Sequence, residues 1–255
     1  MEERINIRRY AQEINNNYDD GERQVRLVTY VEPRQIYDAT DALVNAQERK
    51  VLFIQLPFYS DRFLNLSHEL LQSIRNVRHL PCTWFFGSNR LFQVRHSTLQ
   101  AKLVSLVSSM IVQLIDLLPR RFHDPEMVLS QEVFNSLHLY EPRHTGIAID
   151  IPVAIRIIKA LVNVIPRGIL FFFEGCDDLA SVYHGPLDEV FVHFGDLIHF
   201  LTQPEPGKPR RILWIEAGEF ASFVTMISGL VRIEDYTLVQ YPRDWNDGMG
   251  WEGAR

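Results

Sequence analysis

Residues 168–178 read GILFFFEGCDD, and this stretch decides the fold. Five consecutive apolar residues, Ile169 to Phe173, are followed at once by Glu174, and then by Gly175, Cys176, Asp177 and Asp178. An uninterrupted apolar run this short is the pattern of a strand buried on both faces, as in a parallel sheet with helices on each side. Acids at the carboxyl end of such a strand stand where open α/β sheets place their ligands.

Four further runs repeat the pattern more weakly. Val51–Ile54, Thr83–Phe86, Ile212–Ile215 and Thr237–Tyr241 read as strands, and Val25–Val31 as a short additional one. Helical spacing of apolar residues falls between them. Ile36, Ala39, Leu43 and Ala46 share a face, as do Leu66, Leu70, Ile74 and Val77. The longest stripe runs from Leu99 to Leu118 and stops at Pro119. Helices are also expected over 129–138, 152–164 and 186–201. Strands alternating with amphipathic helices predict a parallel sheet with right-handed crossovers. Residues 1–34 read as an N-terminal polar and helical extension, 35–241 as the sheet domain and 242–255 as an irregular tail.

The chain has 255 residues, 46% hydrophobic and 23% charged, which is ordinary globular usage and enough for a sizeable core. A net charge of −6 argues against non-specific binding to nucleic acid or to an anionic membrane surface. No uninterrupted apolar run approaches the roughly 18 residues of a membrane span. MEERINIRRY at the start carries charges and no apolar signal core. The two cysteines, Cys82 and Cys176, each sit in or beside an apolar run, which predicts reduced, buried thiols and a cytoplasmic setting. His193 and His199 stand six apart on one predicted helix, too far round it to share a metal. Asp150 and Asp196 lack supporting spacing, and Lys208, Arg210 and Arg211 read as a solvated patch in a Pro-rich loop.

Val51–Leu64, Cys82–Pro119, Gly168–Asp178 and Arg211–Glu216 together resemble the NACHT-type P-loop NTPase domain of fungal signalling ATPases, intracellular receptors of the STAND class. TWFFGSN and the helix ending in SLVSSMIVQLIDLLP carry the resemblance most closely. It covers roughly residues 35–241 and implies a three-layer α/β fold with strand order 5-1-4-3-2.

The resemblance also implies where a nucleotide would bind. The family's phosphate loop is Gly, four residues, then Gly-Lys-Ser/Thr. Its amides wrap the phosphates, its Lys reaches the outer oxygens and its hydroxyl binds magnesium. After VLFI, the matching positions are Leu56, then residues up to Ser60, then Asp61, Arg62 and Phe63. Spacing survives, but both glycines, the Lys and the hydroxyl are replaced. A Cβ costs on the order of 1–2 kcal/mol wherever φ must be positive. Asp61 sets a negative charge against a polyphosphate, Arg62 keeps a cation in a different shape, and Phe63 cannot ligate magnesium.

In the second family motif, acids after the strand hold magnesium and polarise the attacking water. Glu174 and Asp177 fall on the magnesium side and Asp178 on the catalytic position, each still acidic. The other reading of these acids is the solvated rim of a buried strand. The fourth strand ends in Glu216-Ala217-Gly218, where the family has a phosphate-sensing Arg. The expectation is a non-hydrolysing NACHT-like scaffold or regulatory module with protein partners, no nucleic acid, no membrane and no cofactor. The alternative is a switch that binds ATP or ADP with magnesium through a non-standard loop.

Overall fold

The computed structural model describes residues 2–12, 14, 34–47, 50–56, 61–87, 99–124, 126–139, 148–176, 179, 189–203, 207–217 and 236–240. In chain order these form β1 (Glu2–Glu3), α1 (Arg4–Tyr10), α2 (Arg34–Val44), β2 (Lys50–Leu56), α3 (Asp61–Gln72) and β3 (Cys82–Phe86). A wide π-turn, Ser73–Val77, extends α3. Next come α4 (Leu99–Leu117), β4 (Arg121–Phe122), α5 (Gln131–Asn135), β5 (His138–Leu139) and β6 (Ala148–Ile149). The order ends with α6 (Ile151–Val164), β7 (Ile169–Glu174), α7 (Glu189–Thr202), β8 (Arg210–Ala217) and β9 (Tyr236–Gln240).

Five strands make one sheet in the order β3-β7-β8-β2-β9, with all four pairings parallel. Numbered along the chain within this sheet, the order from one edge is 5-1-4-3-2. The GILFFFEGCDD strand is β7, one place in from the β3 edge, and every residue from Ile169 to Glu174 is buried.

The sheet has apolar residues on both faces because successive side chains point opposite ways. Val51, Phe53, Phe85, Phe171, Phe173, Ile212 and Trp214 join α4, α6 and α7 in the larger core. Leu52, Ile54, Leu56, Phe86, Phe172, Leu213 and Ile215 join α2 and α3 in the second. Trp214 centres the first, with the Phe173 ring 5.1 Å and the Phe194 ring 6.0 Å away. Thus α3, which leaves β2, covers one face, and α7, which enters β8, covers the other.

The strands run further than the apolar runs that announce them. β8 begins at Arg210 and Arg211, which are buried strand residues rather than a solvated loop patch. The physical reason is helix termination. Arg210 donates to Phe200 O at 2.7 Å, near the end of α7, and Arg211 Nε donates to Ala46 O at 3.1 Å, just past α2. Late carbonyls of a helix lack internal donors and carry the negative end of its dipole, so guanidinium groups find acceptors there although buried. Lys208 adds a bond to Asn163 O at 2.7 Å.

Within the N-terminal extension, α1 belongs to the main core. Ile7 is fully buried with Leu118, Phe122 and Phe134, and Arg4 donates to Leu118 O at the end of α4. The helix α4 is itself long and apolar enough to cross a membrane, although no single apolar run in it is, because Ser, Gln and Lys interrupt the stripe. Two-thirds of it is buried within the fold, where its apolar side chains pack on the sheet and α6. Asp150 caps α6 by accepting from Val153 N at 3.0 Å. His199 is exposed beside Gln203, and His193 is half-buried. The Val25–Val31 strand and the 242–255 tail lie outside the described residues.

Candidate functional site

β2 and β8 end side by side, with Gln55 beside Glu216 and Leu56 beside Ala217. Leu56 is the last residue of β2 and is buried in the second core. Its hydrocarbon stands at the position that the phosphate-loop comparison assigns to a glycine. Helix α3 opens at Asp61, so Asp61, Arg62 and Phe63 occupy its first turn. A helix N-terminus at a strand end is a general anion-receiving geometry. Here its first side chain is an acid. Ser60 lies outside the described residues.

Glu174 ends β7 between Phe86 of β3 and Ile215 of β8 and is fully buried. This corrects the rim reading for Glu174, because burial on this scale excludes a solvated surface acid. Asp177 and Asp178 lie outside the described residues. Among the described residues, no three His, Cys, Asp or Glu side chains gather in a way that could hold a metal ion.

The turn after β7 is held by groups that the motif comparison did not single out. Gly175 adopts φ 64°, a conformation that glycine reaches without a Cβ penalty. Its N–H donates to Ile215 O at 3.1 Å, and Cys176 Sγ–H donates to Glu174 O at 3.4 Å. Lys102, buried in the first turn of α4, donates from Nζ to Gly175 O at 2.5 Å. Glu216, at the end of β8 and also buried, accepts from Cys176 N at 2.8 Å and from Trp214 Nε1 at 3.3 Å. Where the family comparison expected a phosphate sensor to follow β8, this chain has a carboxylate turned toward the neighbouring turn.

Gly87 makes the close approach possible. A Cβ there would stand 2.3 Å from Gly175 O, 2.8 Å from Lys102 Cε and 2.9 Å from Glu174 O. No side chain larger than hydrogen fits between β3, β7 and the Lys102 stem.

One signal in the sequence points to Lys102. Within 99–117, Lys102 and Asp116 are the only charged residues in an otherwise apolar and neutral-polar helix. Buried Lys and Glu are rare unless partnered, so a lone Lys on a core helix invites a search for its acceptor. That acceptor is a backbone carbonyl, which no side-chain motif reveals.

No family model matches the chain, and a search of curated proteins returns no match. Among solved structures, a chain from the structure of Drosophila ORC bound to DNA aligns with 92% of this chain and 32% of its own length, at 10% identity and a TM-score of 0.35.

Proposed function

We propose that this chain is a degenerate NACHT-like, P-loop NTPase-like domain that serves as a non-hydrolysing scaffold or regulatory module of a cytoplasmic signalling protein. The observation that carries the reading is the β2–α3 connection. The buried parallel strand β2 ends at Leu56 and α3 begins at Asp61, in a sheet of order 5-1-4-3-2, and the resemblance puts the phosphate-binding residues at Leu56, Asp61, Arg62 and Phe63. On this reading the frame of a nucleotide site is kept and its chemistry is replaced.

The buried Glu216 supports the same reading. Its carboxylate is engaged by a backbone amide and an indole within the fold. A strand end with its polar groups bonded internally has less to offer a phosphate. The ligands of such a module are protein segments or neighbouring domains, and neither magnesium nor nucleotide takes part.

Equilibrium titration with fluorescent ATP and magnesium tests the proposal. Absence of saturable binding up to millimolar nucleotide is expected, and micromolar affinity overturns it. The second reading, an ATP/ADP switch, draws on Arg62 as a remaining cation in the first turn of α3. It predicts a thermal shift, because ligand at 100 times Kd adds about 2.7 kcal/mol of stability.

A further inference from the structure

Lys102 and Glu216 hold opposite ends of one peptide bond. The carbonyl that Lys102 Nζ bonds at 2.5 Å belongs to Gly175, and the N–H that Glu216 Oε2 accepts at 2.8 Å belongs to Cys176. Both groups therefore act on the single Gly175–Cys176 peptide unit. Its oxygen faces a cationic group and its N–H faces an anionic one, so both charges are aligned with the peptide dipole. Turning the peptide over would bring its N–H to Lys102 and its oxygen to Glu216, replacing two charge-assisted bonds with two repulsions.

The local sequence makes such a clamp necessary. Gly175 sits at φ 64° and has no Cβ to restrict it. A glycine peptide at the end of a strand has several accessible orientations. Burying a Lys and a Glu is costly unless their bonds are well made. Neither is needed to fill the apolar core. Their shared target is the point where the chain leaves β7 for the segment that carries Asp177 and Asp178. Gly87 lets the Lys102 stem pass, since a Cβ there would meet Lys102 Cε at 2.8 Å.

We propose that Lys102 and Glu216 form a charge clamp that locks the Gly175–Cys176 peptide in one orientation and so fixes the exit from β7. The clamp goes beyond the functional reading above and operates with or without nucleotide. It joins the helix that follows β3 to the strand ends of β7 and β8, and it makes Lys102 and Glu216 positioning residues for the turn.

Cys176 reports on the clamp directly, because its thiol is buried and its Sγ–H bonds Glu174 O within the same turn. Cys82, buried in the second core, is the internal reference. Labelling with N-ethylmaleimide, read by mass spectrometry, is expected to rise at least tenfold at Cys176 in Lys102→Met and in Glu216→Gln, with Cys82 unchanged. The double variant is expected to exceed the larger single effect by less than twofold, since both residues act on one peptide. Unchanged Cys176 labelling, equal rises at both cysteines, or multiplicative effects in the double variant overturn the clamp. Should either variant fail to fold, amide exchange on the unaltered chain decides. The clamp requires the Cys176 N–H to exchange as slowly as the amides of β7, and exchange at the rate of an open turn overturns it. None of these readouts involves nucleotide, so they stand or fall separately from the ATP titration.

Discussion

Gln113 bonds both main-chain groups of Trp84. Its Oε1 accepts from Trp84 N at 2.7 Å and its Nε2 donates to Trp84 O at 2.9 Å. Since β3 is an edge strand, one amide side chain from α4 thereby copies a neighbouring strand. Edge strands with open N–H and C=O groups template pairing with other chains, so this contact protects the sheet. Gln113→Leu keeps the volume but removes both bonds. It is expected to cost about 1–3 kcal/mol in urea unfolding and to increase self-association, measured by light scattering.

Gly87→Ala is expected to be among the most damaging small changes. The added methyl would stand 2.3 Å from Gly175 O and 2.9 Å from Glu174 O, and backbone cannot yield as a flexible side chain can. Overpacking of this kind costs about 1–3 kcal/mol or more. The same substitution at Gly195, where a Cβ meets nothing within 4 Å, is the control. In the interior of α7 it is expected to stabilise by up to about 1 kcal/mol. Thermal unfolding of the two variants compares them.

Arg211 ties the start of β8 to the end of α2 through Ala46 O. Burial holds its guanidinium below its usual pKa. Arg211→Ala is expected to lose about 1–3 kcal/mol. Faster amide exchange should follow at the α2 C-terminus and spare α4. Arg211→Lys is expected to recover only part, because the guanidinium places two donors, Nε and Nη2, on one carbonyl.

The Cys82 thiol gives a pH signature. Burial pushes it up to about 12 from 9.0, opposed by the charge of Arg75. The folded thiol therefore stays neutral at pH values where the unfolded one ionises. Its contribution is fully present below pH 9 and is lost as pH rises from about 9 towards about 12, at about 1.4 kcal/mol per pH unit. Cys82→Ala removes this component. Urea midpoints of the two proteins are expected to fall in parallel below pH 9, with the unaltered chain falling more steeply above it.

The fold was legible because its strands are buried on both faces. Such strands become short apolar runs, and the runs at 51, 83, 169 and 212 each mark one, whereas the edge strand at 237 leaves Leu238 exposed. The ends of the strands were less legible. Arg210 and Arg211 looked like a loop because two adjacent charges carry no strand signal. Their partners are the carbonyls of helix ends far away in sequence, which only the folded chain assembles. Glu174 showed the same effect, since an acid after an apolar run reads as a rim residue, yet β3 and β8 enclose it.

The candidate site was legible in part. The spacing from Leu56 to Asp61 falls between the end of β2 and the start of α3. Lys102 was hidden because its helix reads as one broad stripe, and its partner is a main-chain oxygen. Glu216 reads in the sequence only as part of a strand end without the family's Arg, and its carboxylate faces inward to the β7 turn. In each case the decisive partner is backbone, and backbone carries no identity in a sequence.

The proposed function requires that the strand-end site neither bind nor hydrolyse nucleotide. The direct measurement is steady-state ATP hydrolysis with magnesium, run alongside the titration and repeated with Glu174→Gln. The account predicts no turnover above a protein-free blank and no change in the variant. Measurable turnover with micromolar affinity, abolished by Glu174→Gln, would contradict it.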